Sequence, residues 1–188
     1  RGLYERWTAG LRNVSEALER ERLTHRWLAV CVILAWVLVF TLLSFDLLMS
    51  LDPHWTSTLF GAFFWMGTLY TGWTVTWMLS AWTRDRRGLG SYITTGTFHD
   101  LGKFTFSWCM AWTYLFWSQY LPYWYANMPE EAHWFLKRMD GAWEPLALVV
   151  GAMCFAIPFL GMLRKQSKTS PPLIYAFGTV ILAGMFLQ

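Results

Sequence analysis

The chain has 188 residues, 55% hydrophobic, 19% aromatic and only 14% charged, with a net charge of +3. Ordinary soluble domains carry about 25% charged residues. Fourteen tryptophans are too many for one soluble core and point instead to membrane interfaces, where Trp and Tyr collect.

Taken in order, the chain starts at Arg1 and stops at Gln188 inside an apolar run, as a piece of a longer polypeptide would. No secretory signal pattern is visible. Leu3, Trp7, Leu11, Val14 and Leu18 recur at helical spacing among Arg and Glu. Residues 1–26 are therefore expected as an amphipathic segment lying on the cytoplasmic face. Residues 27–188 then read as an all-α, polytopic transmembrane bundle of about five spans, at 27–51, 58–82, 104–126, 144–163 and 172–188. About 20 apolar residues cross a bilayer, and the period-2 alternation of a membrane barrel is absent.

The stretch between spans one and two reads "FDLLMSLDPHWTSTLFG". Asp46 lies about one turn inside the end of span one. Ionisable groups in hydrocarbon usually face the bundle and mark a pathway; the alternative is a carboxylate reaching the interface or bonding Ser50. Asp52-Pro53 fits an N-cap followed by proline, which would start span two there. His54 follows the cap and is a candidate proton carrier, imidazole being the side chain suited to that near neutral pH, or is an interfacial ring beside Trp55. Together Asp46, Asp52 and His54 form a candidate proton-release group.

Thr97-Phe98-His99-Asp100 fits a capping box opening span three. His99 beside Asp100 is a candidate proton entry point, with Lys103 next to it. Capping would account for Asp100, and snorkelling for Lys103. Lys103, Ser107, Tyr114 and Ser118 share one face of span three, as helix glue or as a proton wire. His99 and Gln119 are about 30 Å apart along a helix, so a proton route needs two half-paths. Asn127-Met128-Pro129-Glu130-Glu131 is expected to open a short interfacial helix carrying Ala132, Trp134, Phe135, Leu136 and Met139. Ser170-Pro171 is expected to start span five. Pro158 suggests a kink in span four.

The basic residues set the orientation. Arg1, Arg6, Arg12, Arg20, Arg22, Arg26, Arg84, Arg86, Arg87, Lys103, Arg164, Lys165 and Lys168 fall on one side; only Lys137 and Arg138 fall on the other. This positive-inside bias puts the amino end in the cytoplasm. Cys31, Cys109 and Cys154 show no paired spacing and read as small apolar residues. His25, His54, His99 and His133 lie at span ends or in loops, unlike haem ligands. No metal site and no nucleotide motif appears, so no catalytic residue, metal or redox cofactor is assigned to this chain.

The segments "LMSLDPHW", "HDLGK" and "WYANMPEE" resemble, in order and topology, the ActF subunits of bacterial alternative complex III. These belong to the NrfD/polysulfide-reductase-like membrane subunits. The resemblance covers roughly residues 40–147, and more loosely the remainder. Span three, "FTFSWCMAWTYLFW", is richer in Trp than that family. The resemblance implies the second half of a longer subunit in the bacterial inner membrane. It implies a quinol:cytochrome c oxidoreductase complex, with quinol as its substrate. It implies partners: a paralogous membrane subunit, a periplasmic iron–sulfur subunit and multihaem cytochrome c subunits. Haem c and the clusters would sit in those partners; nucleic acid has no place in the assembly. The chain itself would anchor them and carry proton half-channels through Asp46, Asp52, His54, His99, Asp100, Lys103, Ser107, Tyr114 and Ser118. Two other roles remain: an anchor without a proton path, or a quinol-binding subunit using Asp46, His54 and Trp55. A secondary transporter is disfavoured, because no span looks broken or repeated.

Overall fold

The computed structural model describes residues 2–52, 55–88, 90, 92–126, 136–137 and 141–188; of their side chains it describes those from residue 19 onward, except Arg87 and Ala142. Pro53, His54, Asn127–Glu131, His133 and the apolar set Ala132, Trp134, Phe135 and Met139 lie outside the described residues, as do the side chains of the stripe from Leu3 to Leu18. Among the described residues all regular structure is helical, with no strand. The chain forms two compact units, Arg1–Phe40 and Thr41–Gln188.

Helix α1 runs Gly2–Leu43 without interruption. It continues past residue 26, where the amphipathic segment is expected to give way to the first span, and residues 14–40 contain neither glycine nor proline. Within the first unit the apolar side chains of Trp27, Leu28, Val32, Ile33, Leu34 and Leu38 are all exposed and fall on every face of the helix. A helix apolar all round is suited to lipid rather than to water. The apolar stretch Glu19–Leu51 includes the π turn Ser44–Leu48 and the 3₁₀ turn Met49–Leu51 that end it.

Four further helices build the second unit: α2 (Phe60–Arg87), α3 (Thr95–Ala126), α4 (Glu144–Gly161) and α6 (Pro171–Leu187), with the short α5 (Lys165–Thr169) between the last two. By length and composition Glu19–Leu51 and α4 are apolar enough to cross a membrane. Helices α2 and α3 are long enough, but their many Trp, Thr and Tyr make them less apolar.

The start of α2 differs from the expected Asp52-Pro53 cap. The helix begins at Phe60, after Leu59, with no side-chain cap. Asp52 is instead an extended residue closing the 3₁₀ turn, and its carbonyl accepts the Trp55 N–H at 3.1 Å. Trp55 is 2% exposed and packs edge-on against Phe60, with ring centres 5.1 Å apart. Burying that indole turns the chain inward where an early helix would have carried it away. At its other end α2 stops at Gly88, whose φ of +63° is the left-handed cap that glycine adopts without strain.

The box opening α3 also lies three residues earlier than expected. Thr94 Oγ1 accepts the Thr97 N–H at 3.4 Å, and Thr97 Oγ1 accepts the Thr94 N–H at 3.3 Å. Asp100 is thereby left outside the cap. Helix α6 begins as expected, at Pro171 after Ser170, although the serine hydroxyl makes no capping bond.

Helix α2 packs mainly along α3 and α6. The face that α3 buries carries Phe98, Gly102, Thr105, Cys109, Trp112 and Gln119. Most hydroxyls of α2 turn back on their own helix, as Thr71 on Gly67, Thr74 on Tyr70 and Ser80 on Trp77. Hydrogen bonds to main-chain carbonyls tie helices together. Trp77 Nε1 donates to the Phe98 carbonyl at 3.1 Å, and Tyr70 Oη donates to the Cys154 carbonyl at 3.1 Å. Cys109 Sγ reaches the same carbonyl at 3.3 Å. That acceptor is free because Pro158, four residues on, has no N–H, and because α4 passes through a π turn at Ala152–Ala156.

Candidate functional site

The residues singled out by sequence fall into two groups about 30 Å apart along α3. One lies where α2 ends and α3 begins, the other where α3 ends.

At the first end, His99, Asp100 and Lys103 come together. Lys103 Nζ stands 3.1 Å from Asp100 Oδ1 on the exposed side of the helix. His99 is half-buried, and its Nδ1 is buried without a hydrogen-bond partner among the described residues. Burial, then the charges of Lys103, Lys168 and Lys165, hold its pKa below the usual imidazole value, while Asp100 pulls the other way. Lys168 is the residue that sequence reasoning missed. It counted as one more loop cation, yet it is only 8% exposed. Its stem lies on Gly102, where an added Cβ would meet Lys168 Cβ at 2.8 Å, and its ammonium stands 5.1 Å from the centre of the Phe106 ring. Burial, then Lys103, pushes its pKa down. The glycine in "HDLGK" is the one sequence signal that a side chain was to be seated there. Arg84 caps the same end, 5.1 Å over the Phe98 ring.

At the other end the structure separates what the sequence grouped. Asp46 is exposed in the π turn, and Ser50 Oγ bonds its backbone carbonyl rather than its carboxylate. Asp52 and Trp55 line a cavity of about 1130 Å³ together with Phe60, Phe63, Thr68 and Lys137. Asp46 does not line that cavity, and His54 is outside the described residues. A second cavity, about 710 Å³, is lined by Thr56, Ser57, Thr58, Ser118, Gln119 and Tyr123, among others. Gln119 is 3% exposed, and its Nε2 has no partner among the described residues.

The polar stripe of α3 is divided as well. Ser107 and Tyr114 face outward with Lys103, and Ser107 Oγ donates to the Lys103 carbonyl at 2.9 Å. Ser118 alone of the four turns into a cavity.

No family model and no curated protein matches this chain.

The chemistry available follows from these groups. The first end offers titratable nitrogen atoms beside one exposed carboxylate. The second offers one half-buried carboxylate, hydroxyls and a buried amide in two cavities. Among the described residues no group of three or more His, Cys, Asp or Glu is placed to hold a metal ion.

Proposed function

We propose that the chain is a five-span subunit of a quinol:electron-acceptor oxidoreductase of the alternative complex III type, set in the bacterial inner membrane with its amino end cytoplasmic. It anchors the iron–sulfur and cytochrome c subunits and is not catalytic alone. The ordered motifs "LMSLDPHW", "HDLGK" and "WYANMPEE" carry this reading. The one-sided arginines and lysines and the all-helical fold support it.

In this reading protons enter at His99 and Asp100 and leave near Ser118, Asp52 and Asp46. The inner group supports entry, because a neutral imidazole beside a carboxylate both accepts and passes a proton. Purification of the complex from native membranes tests the assignment. The expected result is co-purifying haem c and iron–sulfur subunits; a lone homo-oligomer refutes it. In that complex Asp100→Asn and Asp46→Asn are expected to lower quinol turnover by at least about tenfold. Full turnover with unchanged proton release leaves the anchor role alone.

One observation favours a second reading. The cavity holding Asp52 and Trp55 is as large as those that bury organic ligands. A quinol headgroup there would hydrogen-bond the carboxylate and lie against the indole. Trp55→Ala raising the KM for quinol with little change in kcat would distinguish it from a proton path.

A further inference from the structure

We infer that Lys103, Lys165 and Lys168, grouped around His99, bind a phosphate-bearing anion, the ligand that an acidic lipid headgroup presents. The inference needs the chain to be membrane-embedded. It does not depend on the proposed quinol-oxidising complex.

Lys168 carries the argument. The Lys168 side chain is packed away for most of its length, and its ammonium in the charged form favours a counter-charge. No carboxylate among the described residues reaches its ammonium. Its ammonium stands over the Phe106 ring and its stem lies against Gly102. The one acid of the cluster, Asp100, is engaged by Lys103 at 3.1 Å. The electrostatic neighbours of His99 are three lysines and that single aspartate. The cluster is therefore positive in excess.

Two further features aim at the same ligand. The buried His99 Nδ1 lacks a partner among the described residues and is suited to a phosphate oxygen. His99 and Lys103 lie in the second and third turns of the 32-residue α3, and Lys165 and Lys168 on α5, which packs against it. Basic pockets between membrane helices bind acidic lipid headgroups. Phe104, exposed beside Lys103 and stacked on Trp73 at 4.9 Å, supplies apolar surface that an acyl chain covers and a free phosphate does not.

Native mass spectrometry of the full chain in neutral detergent tests this, with phosphatidylglycerol, cardiolipin, phosphatidylcholine and inorganic phosphate as probes. The two acidic lipids are expected to be retained about tenfold more strongly than phosphatidylcholine. Lys165→Gln, an exposed substitution, and Lys168→Met, which keeps the packed stem, are each expected to weaken retention about fivefold. Lys137→Gln, remote from the cluster, is expected to leave it unchanged. If inorganic phosphate displaces the lipids at equal concentration, the site stands with free phosphate as its source. Equal retention of phosphatidylcholine, or wild-type retention by both Lys165→Gln and Lys168→Met, overturns it.

Discussion

His99 shows how a single residue couples to its surroundings. Its pKa is held below the ordinary imidazole value by burial and by Lys103, Lys168 and Lys165, against Asp100. The unfolded chain therefore binds that proton more readily than the native chain. Stability contributed by the neutral ring is complete above the ordinary imidazole range and is lost as pH falls below it. Thermal midpoints measured across that range should decline toward acid, and the His99→Asn variant should decline less. The sequence marked His99 and Asp100 correctly as neighbours, since they are adjacent. It could not mark Lys168, because a lysine in a polar loop and a lysine seated on a glycine read alike.

At the scale of elements, α4 owes its fit to a defect. Pro158 withholds a donor, and the Cys154 carbonyl turns to Tyr70 and Cys109 instead. Tyr70→Phe should cost about 0.5–1.5 kcal/mol, the usual worth of one interhelical bond. With Pro158→Ala, which restores the in-helix donor, the same change should cost less; a double-mutant cycle by chemical denaturation measures the difference. Helix α6 approaches the same turn through Gly184, where an added Cβ would lie 2.7 Å from Cys154 Sγ. Gly184→Val should therefore destabilise by about 1–3 kcal/mol through overpacking. The helices were legible as runs rich in hydrophobic and aromatic residues, and two of them, Glu19–Leu51 and α4, are apolar enough to cross a membrane. Their starts were less so. Asp52-Pro53 satisfies every local rule for an N-cap, yet the burial of Trp55 overrides it. Thr94 and Thr97 cap α3 in place of Thr97 and Asp100, because two equivalent boxes overlap and local chemistry does not choose between them. Pro158 was readable as a kink, but not the partner its missing N–H would create.

For the molecule as a whole, the proposed five-span threading predicts that Lys137 and Lys165 lie on opposite sides of the membrane. Both are exposed, so an impermeant amine reagent applied to sealed, oriented vesicles should modify one and spare the other. Modification of both from one side would refute the threading. The side-chain placements also divide the polar residues by task. Lys103, Ser107 and Tyr114 point out of the chain's own core, whereas Thr74, Thr105 and Gln119 point into it. Periodicity alone identified a polar face on α3. It did not reveal that the buried face carries its own polar residues, since threonine and glutamine among aromatics leave no periodic trace.

The cysteines of this fold are sorted by accessibility: Cys31 is exposed on the apolar surface of α1, while Cys109 and Cys154 are enclosed. A greasy maleimide dissolved in the bilayer should thus tag the native protein once, and a water-borne one should scarcely tag it at all. Counting adducts then becomes a clock for denaturation, rising from one to three as the helices come apart. In the proposed threading the unaltered chain already carries a single exposed thiol, Cys31, for a spectroscopic label.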